Sequence, residues 1–275
     1  LGAAIGWDWR RGCRKLRLVW ARIEHTKAGK QSLSGCRIHS SQDDKGGAML
    51  VKDWMTKNVV TVNVSDSLQH AINTMIDNQV SILPVLEDGR LVGILTDRDV
   101  KRASPSSATL LDIQQALYQL ARLEVGAVMS PHPITVAPDF TLEETAAILL
   151  ERRISGAPVI SKEGLLVGII TKSDVFKALL SLSGSTNKGL MFGFLIEDRP
   201  GSIKEVTDVV RSYGARLVSI LTSYDRAPQG YRYLYIRLFN VDRGSQQEMK
   251  QELRGRFKVL YCIDQIENKR EIYSD

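Results

Sequence analysis

Apolar residues at Leu68, Ala71, Ile72, Met75 and Ile76 recur at the three- and four-residue spacing of one helix face, with Ser65 placed to cap its start. A second run, Leu142, Ala146, Leu149 and Leu150, repeats that face with Asp139 as its cap. After each predicted helix come two short apolar runs of strand length. Ile82–Leu86 and Leu91–Leu95 flank the turn Glu87-Asp88-Gly89, while Ala157–Ile160 and Leu165–Ile170 flank Ser161–Gly164. The pattern is therefore duplicated: Met55-Thr56 answers to Met129-Ser130, Thr61-Val62 to Thr135-Val136 and Pro84-Val85 to Pro158-Val159, all 74 residues apart. One inserted residue later, Gly93-Ile94-Leu95-Thr96-Asp97-Arg98-Asp99 answers to Gly168-Ile169-Ile170-Thr171-Lys172-Ser173-Asp174. A unit this short leaves a sheet face uncovered, so the two copies are expected to pack together. Leu110, Ile113, Leu117 and Leu120 predict a connecting helix between them.

The periodicity changes after the polar linker Ser181–Asn187. Leu190–Ile196 reads as a strand, Ser202–Tyr213 as a helix with Ile203, Val206 and Val210 inward, and Leu217–Ser223 as a strand. Tyr231–Phe239 alternates as a strand, Gln246–Leu253 reads as a helix and Lys258–Ile263 as the closing strand. That order, βαββαβ, is ferredoxin-like. The expected organisation is a tail over 1–48, a first repeat over 49–103, a helical insertion over 104–126, a second repeat over 127–182, a linker over 183–188 and a last domain over 189–275. The fold class is α/β (α+β).

The net charge of +6 would invite a nucleic-acid partner if it lay on the folded part. It lies in the tail, where residues 1–48 hold ten basic and four acidic residues, leaving 27 of each sign in the remainder. Nucleic acid is accordingly disfavoured as a partner. Met49 is the first methionine and organised sequence begins directly after it. The tail is expected to be disordered, and to be either translated sequence upstream of a start at Met49 or an Arg-rich organellar presequence. No run of about 18 apolar residues is present, so no membrane span is expected. Cys13, Cys36 and Cys262 form no Cys-x-x-Cys pair and the four histidines are scattered; free thiols in a reducing cytoplasm, and no metal site, are the expectation.

Each copy ends a strand at Thr96 or Thr171 and begins a helix, bringing a hydroxyl and free N–H groups to a helix N-terminus that favours phosphate. Three residues on, Asp99 or Asp174 has the reach to accept from both hydroxyls of a ribose, with Lys57, Arg98 and Lys172 as charges for phosphates. The apolar strands at Ile82–Val85 and Ser155–Val159 offer a surface for a flat base. The same Thr-x-x-Asp spacing is also that of a capping box, which accounts for both residues without a ligand.

The paired Pro-Val strands followed by GILTDRD and GIITKSD resemble two CBS domains, a pair often called a Bateman module. The resemblance implies an adenosine-containing ligand (AMP, ADP, ATP, S-adenosylmethionine or a cyclic dinucleotide) in the cleft between copies. It implies a site drawn from Lys57, Thr61, Val62, Ile82, Pro84, Thr96, Arg98 and Asp99, and from Thr135, Val136, Ser155, Ala157, Pro158, Thr171, Lys172 and Asp174. The turn Asp198-Arg199-Pro200-Gly201 resembles that of ACT domains, implying a small ligand such as an amino acid at Asp198, Pro200, Gly201 and Ile203, although Arg216 stands where such domains usually carry Asn. A plain strand-to-helix turn explains the same residues. A CBS pair, an insertion and one ACT-like domain together resemble acetoin-utilisation (AcuB-like) regulatory proteins. The resemblance implies a cytoplasmic homodimer that regulates a metabolic partner. No Gly-x-Ser-x-Gly, Walker-type loop or Cys/His arrangement suggests an enzyme. The competing expectation is a dimerisation scaffold with empty sites.

Overall fold

The computed structural model describes residues 49–103 and 122–273. Most of the expected insertion, including Leu110, Ile113, Leu117 and Leu120, lies outside them, as do the tail, Cys13 and Cys36.

The first repeat comprises α1 (Val51–Trp54), β1 (Val62–Asn63), α2 (Leu68–Asp77), β2 (Ile82–Glu87), β3 (Arg90–Thr96) and α3, described over Asp97–Ala103. The second has a 3-10 turn (Val125–Ala127), β4 (Ser130–Pro131), α4 (Leu142–Glu151), β5 (Gly156–Ile160), β6 (Leu166–Thr171) and α5 (Lys172–Leu182). Both helix caps differ from expectation. Ser67, not Ser65, accepts from the His70 amide, and Thr141, not Asp139, forms a full capping box with Glu144. Ser65 and Asp139 each stand two residues too early, whereas Ser67 and Thr141 directly precede the first helical leucine. Leu68, Ala71 and Met75 are buried as the periodicity requires, but Ile76 and Leu150 are exposed. A helix on a narrow sheet buries only a narrow stripe, and position i+8 falls off its edge.

The two copies exchange their leading segments. Val51, at the start of the first copy, is fully buried in the core of the second among Val136, Leu142, Leu149 and Val159. Val125, 74 residues on, is fully buried in the core of the first among Val62, Leu68, Leu83 and Val85. Burying such a valine contributes about 1.5–3 kcal/mol, so each lead fastens one copy to the other. The exchange continues along the chain: Thr56 pairs with Ile169 of β6, and β4 pairs antiparallel with β3 through Ser130 and Ile94. Two glycines make the crossing possible. A Cβ on Gly168 would stand 2.3 Å from the Met55 sulfur, and one on Gly93 2.2 Å from that of Met129. The repeated Met and Gly are thus reciprocal halves of the same contact.

The C-terminal part holds β7 (Leu190–Glu197), α6 (Ser202–Ser212), β8 (Arg216–Ser223), β9 (Tyr231–Phe239), α7 (Gln246–Arg256), β10 (Lys258–Asp264) and β11 (Lys269–Ile272). Its sheet runs β11-β10-β7-β9-β8, every pair antiparallel. Without β11 this is the ferredoxin-like order expected from βαββαβ. Phe192, Phe194, Leu234, Ile236 and Leu238 bury one sheet face against Val206, Val210, Met249 and Leu253 of the two helices. Strand β11 was not expected, since Lys269-Arg270-Glu271-Ile272 has one apolar residue, and that one is exposed.

The linker is tied to this sheet by a buried cation. The Ser183 carbonyl, just past α5, accepts from Arg237 Nε and from Ser219 Oγ, both at 2.9 Å. Arg237 is buried and also donates to Gln265 Oε1.

Candidate functional site

The exchange of leads generates two clefts related by the repeat, each built from both copies. One, of about 430 Å³, is lined by Thr56, Asn58, Val59, Val60 and Gln79 to Ile82 of the first copy and by Ser155, Ile169, Thr171 to Asp174 and Lys177 of the second. The other, of about 320 Å³, takes Ser130 to Ile134 and Arg153 to Gly156 from the second copy, and Ile82, Ile94, Thr96 to Asp99 and Arg102 from the first. Ile82 and Ser155 reach both.

In each cleft a Thr and an Asp grip one another. Asp174 Oδ2 accepts from the Thr171 amide at 3.0 Å and from the Thr171 hydroxyl at 2.7 Å, while Thr171 Oγ1 accepts from the Asp174 amide. Thr96 and Asp99 repeat the arrangement at 2.9 and 2.6 Å. These are capping boxes, and both aspartates are buried, Asp174 6% and Asp99 4% exposed as whole residues. The second oxygen is held differently. Asp174 Oδ1 meets Lys177 Nζ at 3.1 Å, and Asp99 Oδ1 meets Arg102; these cations are themselves 72% and 77% exposed. A long exposed side chain gives up such a pair at a cost of about 1 kcal/mol or less. The carboxylate therefore has one oxygen committed to the fold and one available to a hydroxyl donor from the cleft.

Of the predicted residues, Ile82, Thr96, Arg98, Asp99, Ser155, Thr171, Lys172 and Asp174 line the clefts. Others stand away from them. Val62, Val136 and Ala157 are core residues, and Pro84 and Pro158 are buried within β2 and β5. Lys57, Thr61 and Thr135 are not among the lining residues; the cleft is reached instead by Thr56 and Asn58, which flank Lys57. Sequence reasoning missed Gln79, Ser81, His132, Arg153, Arg102 and Lys177. The signal for Gln79 and Arg153 was their spacing of 74; both follow a helix and both take a left-handed φ of 55°. Such a backbone is uncommon without glycine and places both side chains at the cleft mouth.

The turn Asp198-Arg199-Pro200-Gly201 has a separate geometry. Asp198 stands 3.6 Å from Arg232 Nε and accepts from the Tyr224 hydroxyl. Ile203 packs against the hydrophobic core, and Pro200 is exposed. Gly201 caps α6 at φ 88° with open space around its Cβ position, so left-handed backbone rather than close approach explains the glycine. A cavity of about 260 Å³ beside the turn includes Arg199, Ser202, Glu205 and Arg256 but none of Asp198, Pro200, Gly201 or Ile203. Arg199 there spans Glu197 and Glu205, whose carboxylates raise its pKa while it holds that of Glu205 below the usual range.

Among the described residues no group of His, Cys, Asp and Glu is placed to hold a metal, and no helix is long and apolar enough to cross a membrane. The family profile described as the CBS domain matches residues 51–106 and 125–181. A CBS domain-containing protein of Dictyostelium discoideum is 32% identical over 49% of this chain and 93% of its own length. An inosine-5'-monophosphate dehydrogenase of Korarchaeum cryptofilum is 31% identical over 51% of this chain, but the match spans only 26% of that enzyme. Among solved structures, CBSX2 of Arabidopsis thaliana in complex with AMP is 31% identical over 49% of this chain and 98% of that one, with a TM-score of 0.41.

Proposed function

The chain belongs to the CBS-domain family, and from that premise and the geometry of its two clefts we propose that it is a non-catalytic regulatory sensor of an adenosine-containing ligand. The observation that carries the reading is the half-committed carboxylate: in each cleft a buried Asp keeps one oxygen for the fold and turns the other toward a displaceable cation. A ribose hydroxyl is a neutral donor that competes well for such an oxygen, since hydrogen bonds to a charged group contribute about 1.5–3 kcal/mol. Ile82, which lines both clefts, joined by Val59 and Val60 in the Asp174 cleft and by Pro133 and Ile134 in the Asp99 cleft, offers apolar surface for a base. AMP, ADP, ATP, S-adenosylmethionine and a cyclic dinucleotide all carry these groups.

The helix α5 gives the sensor its output. Its first turn carries Asp174, and the carbonyl just beyond its last turn is held by Arg237 of the C-terminal sheet. An 11-residue helix is a stiff connection of roughly 16 Å between ligand and sheet. In this reading the C-terminal domain, over about 189–275, is an ACT-like element that passes this state to a regulated metabolic partner, the arrangement that the AcuB-like resemblance implies. A second small metabolite at its turn belongs to the same reading.

The experiment is thermal melting and calorimetric titration with these five ligands. Binding at a hundredfold excess over Kd adds about 2.7 kcal/mol of stability, so the melting temperature rises by several degrees. The competing reading, a scaffold with empty clefts, draws on the completeness of both capping boxes. A melting curve that millimolar ligand leaves unmoved decides for it.

A cytoplasmic homodimer is part of the proposal. Phe176, Leu179 and Leu180 expose more than half their surface on α5, and Leu150 does so on the contacting α4. Exposed apolar side chains on two packed helices favour a copy of the same surface. Light scattering at micromolar concentration is expected to give twice the chain mass, and a monomer's mass would refute it.

A further inference from the structure

The two clefts are not chemically equal, and their differences fall at equivalent positions. Asn58 and His132 correspond at the repeat spacing of 74, as do Gln79 and Arg153; Ser173 and Arg98 correspond at 75. In the last two cases the Asp174 cleft carries a neutral side chain and the Asp99 cleft an arginine, and in the first an amide answers to an imidazole. The exchanged pair Lys172 and Asp97 runs the other way, but Asp97 is neutralised by Lys101 at 2.8 Å. Asp99 is likewise paired with Arg102. Arg98 and Arg153 are both exposed, and among the described residues neither carries an ion pair. They approach the cleft from different copies, Arg98 from α3 and Arg153 from the left-handed residue two positions after α4. The Asp174 cleft has Lys172 as its single unpaired cation among the described residues.

We infer that the Asp99 cleft is the polyphosphate-selective site of this chain, taking the di- or triphosphate form of the ligand between Arg98 and Arg153, while the Asp174 cleft discriminates little by phosphate number. The inference rests on the adenosine reading above and adds a division of labour between its two sites. Two guanidinium groups facing one cleft from opposite copies suit a chain of phosphates, because each has a planar fork matched to phosphate oxygens. A single lysine beside neutral amides and hydroxyls suits one phosphate or none.

The test is calorimetric titration of adenosine, AMP and ATP into the full chain, the Arg98→Gln/Arg153→Gln double variant and Lys172→Gln. These side chains are at the cleft mouths, outside the hydrophobic core. The wild type is expected to show one site preferring ATP over AMP at least tenfold and one preferring it less than threefold. In the double variant the first preference disappears, with ATP affinity down at least tenfold and adenosine affinity changed less than twofold. In Lys172→Gln it persists. Preference for ATP that survives the double substitution, or is abolished by Lys172→Gln instead, overturns the inference and leaves the adenosine reading standing. If no adenosine compound binds the wild type, that reading fails first, and inorganic tripolyphosphate then decides the rest. Its binding to wild type but not to the double variant sustains an anion-selective Asp99 cleft, and equal binding or none overturns it.

Discussion

Replacing Lys250 with Met is expected to cost the C-terminal domain about 3 kcal/mol and to shift the acid limb of its pH-stability curve. Lys250 lies on α7 with its side chain 7% exposed, and its ammonium donates to Glu271 of β11 at 3.0 Å. Burial is the largest single influence and pushes the lysine's pKa down, but the bond to Glu271 together with the other acidic groups around it, Asp264 among them, outweighs burial and leaves it raised. Glu271 in turn accepts from the Tyr273 hydroxyl at 2.6 Å and from Lys250, and these bonds hold its pKa at about 2, from an ordinary value of 4.5. Removing one member of a buried pair strands the other charge, typically at a cost of about 3–5 kcal/mol; the partial exposure of Glu271 places this case at the low end. The pH dependence has a definite sign. A carboxyl whose folded pKa is depressed contributes stability that is fully present above 4.5 and lost as pH falls toward 2. A shift of this size corresponds to at most about 3 kcal/mol. Denaturant melts at pH 7 and pH 3 measure both effects: wild type should lose stability between them, and Glu271→Gln should lose much less. Equal losses would show that the pair does not govern the acid limb.

Nothing in the sequence announced that network, for a physical reason. Helices and strands of the C-terminal domain were legible because Val206, Val210 and the alternating residues of Tyr231–Phe239 write their burial in a period that one element imposes. Lys250, Glu271 and Tyr273 are polar residues joined only when the chain's last strand pairs with β10, and no period within α7 or β11 encodes that meeting. The candidate site divides along the same line. Thr96, Asp99, Thr171 and Asp174 were legible because the repeat prints them twice at a strand-to-helix junction. Gln79 and Arg153 reach the clefts from the opposite copy, and only the exchange of Val51 and Val125 between cores places them there. A repeat shows which residues are equivalent; which copy they serve is decided by packing.

Substitution of Asp174 by Asn, set beside substitution by Ala, separates the helix cap that this carboxylate forms from the ligand contact proposed for it. Oδ2 closes the capping box with Thr171, and Oδ1 faces Lys177 at the cleft. Alanine removes both oxygens. It leaves the Thr171 amide and hydroxyl without their acceptor, at a cost of about 1–2 kcal/mol in stability, the upper range for a lost cap. Asparagine keeps one carbonyl oxygen, enough to accept from Thr171, so its stability cost should stay below about 1 kcal/mol. Its other group is an amide donor, which cannot accept from a ribose hydroxyl and leaves Lys177 without its partner. Both variants should therefore lose at least tenfold in affinity for adenosine ligands at the Asp174 cleft, the equivalent of about 1.4 kcal/mol or more, while only alanine melts markedly earlier. Asp99→Asn and Asp99→Ala should repeat the contrast at the other cleft. Thr171→Ala reverses it, weakening the cap while leaving both carboxylate oxygens to the ligand, so stability should fall more than affinity. If Asp174→Asn binds adenosine ligands as wild type does, the carboxylate is a cap alone, and the Thr-x-x-Asp motif of this chain belongs to its folding rather than to its recognition chemistry.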